Sequence, residues 1–220
     1  MEPEFWLARW ETGQTGFHRE EVNPLLLAHW DALGVPEGGA VFVPLCGKSR
    51  DMAWLAGRGH PVVGVELSPI AVRGFFADHG LEPAVRRGRA HERHTAGGVT
   101  LLLGDYFALE PGDLGPVAAV YDRAALVALP EAMRPRYVAH LARLAPRARI
   151  LLVTMEYPAG EMEGPPFSVP PAEVERLYGR HWRGRPLATV DALAESPNLR
   201  ERGLTALAEH VLALEPRERD

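Results

Sequence analysis

Short, continuously apolar segments recur along this chain of 220 residues, and helical patterns lie between most of them. Such segments are typical of strands that are buried on both faces, as in a parallel sheet. Because parallel strands need crossover connections, the intervening helices would cover both faces. The sequence therefore predicts an α/β fold with a doubly wound, mostly parallel sheet and helices on both faces, its core strands being residues 40–44, 61–66, 117–122 and 150–155.

The first residues of the chain are predicted to form two helices ahead of the sheet. Trp6 and Trp10 are four apart and would share one helical face. Asn23, followed by proline, is a capping residue for a second helix, which Gly34 would end. From spacing alone, the paired tryptophans favour an ordinary helix face packed on the core, and a short flap is the alternative.

The other segments are assigned from their spacing and their turn residues. Residues 84–103 predict a hairpin, since two glycines interrupt two strand-like halves, and the prolines of residues 158–171 indicate a long loop. Residues 204–214 fit a strand or a helix. No repeat or linker divides the chain, so we expect a single domain over residues 1–220.

Composition narrows the possible partners. A net charge of -5 and an isoelectric point near 6.0 give no general attraction to nucleic acid or to anionic lipid. Cys46 is the only cysteine, which argues against disulfides and thiolate metal sites and favours a reducing compartment. The acidic start of the chain and the lack of a long apolar run argue against export and membrane insertion. We expect a cytoplasmic monomer that binds neither nucleic acid, nor membrane, nor metal.

Acidic residues stand at the ends of several predicted strands. In open α/β sheets, ligands bind beyond the carboxyl ends of the strands. Glu66 ends the second strand, about 20 residues after Leu45, which is the offset at which a carboxylate accepts the hydroxyl groups of a nucleotide ribose. The alternative is a solvated carboxylate at a strand end, but the apolar residues before Glu66 favour a ligand role.

The loop after the first strand, Pro44 to Ser49, excludes two common nucleotide sites. It contains one glycine where the dinucleotide-binding motif has three, which disfavours nicotinamide and flavin cofactors. The segment Gly47-Lys48-Ser49 is like the end of a P-loop, but Phe42 occupies the position of the first required glycine. An adenosyl ligand without a pyrophosphate remains.

Several stretches of the chain, in order over nearly its whole length, match the pattern of one family. They are residues 6–10 and 16–18, 43–49 with 51–52 and 54–55, 59–60 with 63–68, 104–107, 121–126, 164–167 and 202–204. By these stretches the chain resembles the thiopurine S-methyltransferases of the bacterial type.

The resemblance implies a class I S-adenosylmethionine-dependent methyltransferase with a Rossmann-like fold. Its cofactor would be S-adenosyl-L-methionine, and its acceptor the sulfur of an aromatic or heterocyclic thiol such as a thiopurine. It implies that residues 1–20 form an N-terminal flap over the cofactor site. It also implies that Trp10 packs against the cofactor, that the Leu45 backbone meets its amino acid part, and that Glu66 binds its ribose. Carried over in the same way, Asp105 and Tyr106 flank adenine, Arg123 lies near both cofactor and acceptor, and Phe17 contacts the acceptor.

The chain departs from the family pattern in two places, which leaves the acceptor open. Ala124 stands where a glycine is frequent, and residues 196–201 align too loosely to assign a second arginine to the acceptor. One alternative is a methyltransferase for small thiols or for metalloid oxyanions such as selenite and tellurite. Another is a cofactor-binding protein on the same fold without turnover.

Several conspicuous residues have an ordinary structural reading. Cys46 is expected to be a packing residue, because no partners for acyl transfer stand around it. His91 and His94 lack ligand partners at zinc spacing and are expected at the surface, and the arginines around them would form a solvated hairpin. Lys48, the only lysine, is expected to fix the loop and the start of the following helix.

Overall fold

The computed structural model describes residues 3–218. These residues contain one nine-stranded sheet with the strand order β3-β4-β5-β2-β1-β6-β7-β9-β8. Its strands are β1 (Val41–Val43), β2 (Val62–Glu66), β3 (Ala84–Arg87), β4 (Glu92–Ala96), β5 (Val99–Leu103), β6 (Ala119–Arg123), β7 (Arg149–Glu156), β8 (Trp182–Asp191) and β9 (Ala208–Pro216).

Eight α-helices connect or flank these strands within the described residues. Two begin as the sequence predicts: the Asn23 side chain accepts a hydrogen bond from the backbone of the second helix, and the Ser68 hydroxyl does the same for the fourth. The helices are α1 (Pro3–Glu11), α2 (Pro24–His29), α3 (Asp51–Gly57), α4 (Pro69–Asp78), α5 (Pro111–Leu114), α6 (Arg134–Leu144), α7 (Pro171–Tyr178) and α8 (Pro197–Glu201).

The centre of the sheet is parallel, which confirms the predicted fold class. Strands β5, β2, β1, β6 and β7 run in one direction, and the four predicted core strands all lie in this group. Strand residues alternate between two apolar layers. Val41 and Val43 belong to a core with α2, α3 and α4, whereas Phe42 belongs to a core with α5, α6 and α7. Helices therefore cover both faces.

The edges of the sheet differ from the sequence prediction. Residues 84–103 form three strands, not two, because β5 pairs in parallel with β2 as well as antiparallel with β4. Residues 208–216 form a strand, and β8 had not been predicted at all. Gly184 and Pro186 interrupt its apolar alternation, and a proline is tolerated there because β8 is an edge strand, hydrogen-bonded only to β9.

Among residues 3–218, no helix is both long enough and apolar enough to cross a membrane. The same residues contain no group of three or more histidine, cysteine, aspartate or glutamate side chains that could hold a metal ion.

Candidate active site

The carboxyl ends of β1, β2, β5 and β6 bring four chain segments together at one end of the sheet. They are the loop of residues 44–49, Glu66, the turn at Gly104-Asp105, and Arg123. Parallel strands necessarily place these segments side by side, although they are far apart in sequence. Most of the side chains singled out from the sequence therefore lie at the end of the sheet where folds of this class form a ligand-binding crevice.

The loop after β1 has an unusual backbone. Leu45 has φ 46° and Gly47 has φ 54°, so both lie in the left-handed region. A non-glycine residue there stores strain on the order of 1–3 kcal/mol and is common at binding sites. The Cys46 N–H donates to the Val65 carbonyl at 3.0 Å, which fastens the loop to β2. The Cys46 side chain is buried, as a packing residue would be.

Glu66 is the second anchor of this loop. One carboxylate oxygen accepts from the Gly47 N–H at 2.9 Å, and the other accepts from the Ser68 N–H at 2.6 Å. The side chain is buried, and burial raises the pKa of Glu66, while these backbone hydrogen bonds oppose the rise. A carboxylate has about four lone-pair positions, more than these backbone donors occupy, so acceptor capacity remains for ligand hydroxyl groups.

Trp10 covers the same loop from the N-terminal side. A Cβ atom added at Gly47 would lie 3.3 Å from the Trp10 ring, so only glycine allows this close approach without displacement. Trp10 is buried and contacts Phe17 edge to face, with ring centroids 5.5 Å apart, and Trp6 also contacts Phe17 edge to face, with ring centroids 5.8 Å apart. The aromatic residues of the predicted flap thus form one group at the loop.

Arg123 connects this aromatic group to the end of β6. Its guanidinium donates to the Phe17 carbonyl at 3.0 Å, and the side chain is half-buried. The next residue, Ala124, has φ 64°, a left-handed backbone conformation that favours glycine. The chain turns sharply here, and this turn directs Arg123 toward the N-terminal segment.

The residue before Arg123 is a buried carboxylate that sequence reasoning had listed only as a strand end. Asp122 accepts hydrogen bonds from the Tyr137 hydroxyl at 2.7 Å, the Tyr178 hydroxyl at 3.4 Å and the Leu126 N–H at 3.2 Å. Burial raises the pKa of Asp122 to about 6, and these hydrogen bonds limit the rise. Asp122 therefore joins β6 to α6 and α7.

Asp105 and Tyr106 are adjacent in sequence but differ in exposure. Asp105 is exposed, and its carboxylate accepts from the Phe107 N–H at 3.0 Å. The Tyr106 ring is buried, tilted against the Tyr137 ring at 4.9 Å, and its hydroxyl donates to the Tyr137 carbonyl at 3.1 Å. With its ring in the core, Tyr106 is also held to α6, because its carbonyl oxygen lies 3.0 Å from the His140 Nε2.

The sequence prediction of His91 and His94 as surface residues is wrong. Both are buried. The His91 Nε2 lies 2.9 Å from the Asp105 carbonyl oxygen, and a Cβ added at Gly104 would lie 2.6 Å from its Cδ2. The hairpin folds His91 against the turn after β5, and the glycine before Asp105 was the one sequence signal of that contact.

Two further contacts hold the loop in place. The Lys48 ammonium lies 2.9 Å from the Asp78 carboxylate at the end of α4, so Lys48 ties the loop to this helix. The sequence had predicted a contact with the helix that directly follows the loop. Asp51, which sequence reasoning missed, is buried and accepts from the Asn23 N–H at 2.8 Å and the Tyr121 hydroxyl at 2.9 Å. It joins the starts of α2 and α3 to β6.

Comparison with known proteins gives one consistent family. The family model described as thiopurine S-methyltransferase matches residues 1–217. A thiopurine S-methyltransferase of Xanthomonas campestris pv. campestris (strain 8004) is 50% identical over 216 residues, covering 98% of this chain and 99% of the relative. One from Pseudomonas fluorescens (strain Pf0-1) is 50% identical over 211 residues, covering 96% and 97%.

Solved structures with a similar fold are methyltransferases of low sequence identity. The magnesium protoporphyrin IX methyltransferase of Synechocystis PCC 6803, with bound S-adenosylhomocysteine, is 16% identical with a TM-score of 0.64, covering 97% of this chain and 100% of that one. The 1,6-didemethyltoxoflavin-N1-methyltransferase of Burkholderia thailandensis is 18% identical with a TM-score of 0.61, covering 99% and 87%. At these identities the likeness concerns the fold alone.

Proposed function

This chain belongs to the thiopurine S-methyltransferase family, and from that premise we propose that it transfers the methyl group of S-adenosyl-L-methionine to the sulfur of an aromatic or heterocyclic thiol, such as a thiopurine. The observation that carries the proposal is the buried Glu66 carboxylate, bonded to the Gly47 N–H of a single-glycine loop. This carboxylate offers hydrogen-bond acceptors for the hydroxyl groups of a ribose. The loop beside it lacks the glycines that a pyrophosphate-binding motif requires.

The residues at the crevice fit this cofactor chemically. Glu66 has remaining acceptor capacity for ribose hydroxyls, and the Leu45 backbone would meet the amino acid part. Trp10 supplies an aromatic wall beside Gly47. The exposed Asp105 carboxylate and the Tyr106 backbone would flank adenine. When bound, S-adenosylmethionine supplies a methyl group on a positively charged sulfonium, which is electrophilic without help from the protein.

The chain's own residues then have to align the acceptor and exclude water. A direct displacement needs no nucleophile from the protein, so positioning supplies most of the acceleration. The Arg123 guanidinium would stabilise the anionic sulfur or a negative ring atom of the acceptor. Phe17, held by its carbonyl to Arg123, would contact the acceptor ring. The aromatic group of Trp6, Trp10 and Phe17 would cover the crevice as part of the predicted flap over residues 1–20, of which residues 1 and 2 lie outside the described residues.

A transfer assay tests the proposal. The purified chain is incubated with methyl-labelled S-adenosylmethionine and a panel of aromatic thiols, aliphatic thiols, selenite and tellurite. We expect labelled thioethers from the aromatic and heterocyclic thiols. Transfer to selenite, tellurite or small thiols alone would replace the proposed acceptor class. Cofactor binding without transfer to any acceptor would contradict an enzymatic role.

The compartment is proposed on separate grounds. The only cysteine, Cys46, is buried and unpaired, so an oxidising environment could not stabilise the chain through an internal disulfide. This supports a cytoplasmic location, which fractionation of the producing cell with an antibody to the chain would test.

A further inference from the structure

An apolar groove lies between α7 and the β8–β9 edge of the sheet, and none of its lining residues belongs to the proposed cofactor or acceptor site. Its volume is about 190 Å³. The apolar lining is formed by Val174, Tyr178, Trp182, Pro186, Leu212 and Leu214. Glu175 adds a carboxylate to the lining, which disfavours anionic ligands. The groove is therefore suited to a neutral, apolar chain.

Three polar side chains, those of Thr189, His210 and Glu156, continue the sheet surface beyond this groove. His210 is opposite Thr189 in the β8–β9 register, and Leu212 is opposite Pro186. Because side chains alternate along a strand, His210 and Leu212 are on the same face of β9, about 7 Å apart along it. Glu156 contacts His210 from β7. The polar group therefore adjoins one end of the apolar groove.

The hydrogen bonds within this polar group have one consistent direction. The His210 Nε2 lies 2.8 Å from a Glu156 carboxylate oxygen, and because a carboxylate only accepts, Nε2 carries the hydrogen. In the neutral ring, Nδ1 is then an acceptor, and the Thr189 hydroxyl, 3.0 Å away, donates to it. His210 is only 8% exposed, whereas Thr189 is exposed, so the group is open to solvent at Thr189.

This arrangement is the one that activates a hydroxyl group as a nucleophile. The imidazole is within reach of the hydroxyl proton, and a carboxylate orients the imidazole from its other nitrogen. The Glu156 charge would stabilise the imidazolium that forms when Nδ1 takes the proton. Within the described sheet, β8 is an edge strand, so the N–H groups on its outer side have no strand partner. Such N–H groups can stabilise an oxyanion.

We propose that this site hydrolyses neutral carboxylic esters whose apolar acyl chain lies in the groove. The Thr189 Oγ attacks the carbonyl carbon, and its proton passes to the His210 Nδ1. The bond between the carbonyl carbon and the alcohol oxygen breaks, and Nδ1 returns the proton to that oxygen. Water then attacks the acyl-threonine ester and gives one proton to Nδ1. The carboxylic acid leaves, and this proton returns to the Thr189 oxygen.

Ester hydrolysis by the full chain, without S-adenosylmethionine, tests the proposal. The probes are p-nitrophenyl acetate and p-nitrophenyl octanoate at neutral pH, and absorbance follows the release of p-nitrophenolate. We expect saturable hydrolysis with a KM at least about tenfold lower for the octanoate, because its chain buries more apolar surface in the groove. Mass spectrometry of the acid-quenched reaction should find an octanoyl group on Thr189.

Two exposed threonines give a matched pair of variants. Thr189→Val removes the hydroxyl group and keeps a β-branched residue on an exposed strand position. Thr95→Val does the same on β4, where the hydroxyl lies 3.0 Å from the Thr100 hydroxyl and not beside a histidine. We expect Thr189→Val to lower kcat/KM for the octanoate at least about tenfold and to abolish the acyl label. Thr95→Val should keep both.

Glu156→Gln tests the carboxylate separately. The glutamine oxygen can still accept from the His210 Nε2 but no longer supplies the charge that stabilises an imidazolium. We expect a lower kcat for the octanoate at an unchanged KM.

Each of four results would overturn the proposal. They are hydrolysis that does not saturate, equal rates in the two threonine variants, equal KM values for the two esters, and wild-type kcat in Glu156→Gln. Since no step uses S-adenosylmethionine, these results are independent of the outcome of the methyl-transfer assay.

Discussion

At the scale of single residues, Glu66 holds the loop and is proposed to hold the ligand with the same carboxylate. Replacing it by glutamine removes the charge and half of the acceptor positions. We expect Glu66→Gln to weaken S-adenosylhomocysteine binding by about 1.5–3 kcal/mol, roughly 10- to 150-fold, because charge-assisted hydrogen bonds are lost. Calorimetry measures the affinity. Wild-type affinity in the folded variant would remove Glu66 from the ligand site.

Arg123 is the residue proposed to bind the methyl acceptor. We expect Arg123→Ala to raise KM for the thiol and to lower kcat, with kcat/KM falling about 10- to 100-fold, the worth of one hydrogen bond to a charged group. Steady-state kinetics with an aromatic thiol measures both constants. The exposed Arg73, changed to alanine, is the control and should keep wild-type kinetics. If both variants behave alike, Arg123 does not meet the acceptor.

Ala124 has a strained backbone conformation, because its φ of 64° is unfavourable for a residue with a Cβ. Glycine removes this strain but adds freedom to the unfolded chain, so the two effects partly cancel. We expect Ala124→Gly to raise the free energy of unfolding by about 0.5–1 kcal/mol, measured by urea denaturation. The neighbouring Ala125, which has φ -86°, gives the contrast: Ala125→Gly should lower stability. A destabilised Ala124→Gly would show that the turn carries no strain.

At the scale of secondary-structure elements, Asp122 fastens β6 to α6 and α7 through Tyr137 and Tyr178. Its pKa of about 6 lies above the value of 3.8 for a free aspartate. Between these two pH values the folded state keeps a proton that the unfolded state has lost, so stability falls as pH rises through this window. The expected loss from this group is about 3 kcal/mol between pH 4 and pH 6.

Asp122→Asn removes that titration and is the comparison for this prediction. Urea denaturation of both proteins at several pH values gives the difference in free energy of unfolding. We expect the wild type to lose stability relative to Asp122→Asn as pH rises from 4 to 6, and the difference to level off above 6. A difference that does not change with pH would mean that the buried carboxyl is ionised throughout.

At the scale of the whole molecule, both edges of the sheet are protected against pairing with another chain. Strand β3 is exposed and carries Arg86 and Arg87, and the other edge strand, β8, is interrupted by Pro186. Among the described residues, the exposed large apolar side chains are only Leu27, Ile70 and Val85, and scattered exposed residues do not form an association surface. We expect a monomer of 24.2 kDa in light scattering coupled to size exclusion. A concentration-independent dimer would contradict this.

The centre of the molecule was predictable from sequence because its signals are local. The apolar strands 41–43 and 62–66 lie within a residue of their predicted bounds, and the caps at Asn23 and Ser68 start helices as expected. The family resemblance is confirmed by the family model and by relatives that are 50% identical. Burial of a whole strand on both faces leaves a continuous apolar segment, which needs no knowledge of the partner strands.

The edges were less predictable because their partners are distant in sequence. Strand β8 has little apolar alternation of its own and is formed by pairing with β9, which also decides that residues 208–216 are a strand. Propensity cannot report such pairing, since strand preference depends on the neighbouring strands.

By itself, then, the sequence determined the doubly wound sheet, the single-glycine loop and the acid at the end of β2, because local periodicity and strand order imply them. The tertiary structure decided which atoms meet. It buried His91 behind Asp105, turned the Tyr106 ring into the core, gave Asp122 three donors, and joined Arg123 to the Phe17 carbonyl. These contacts link segments up to about a hundred residues apart, and their cost in chain entropy is repaid only when the whole core packs.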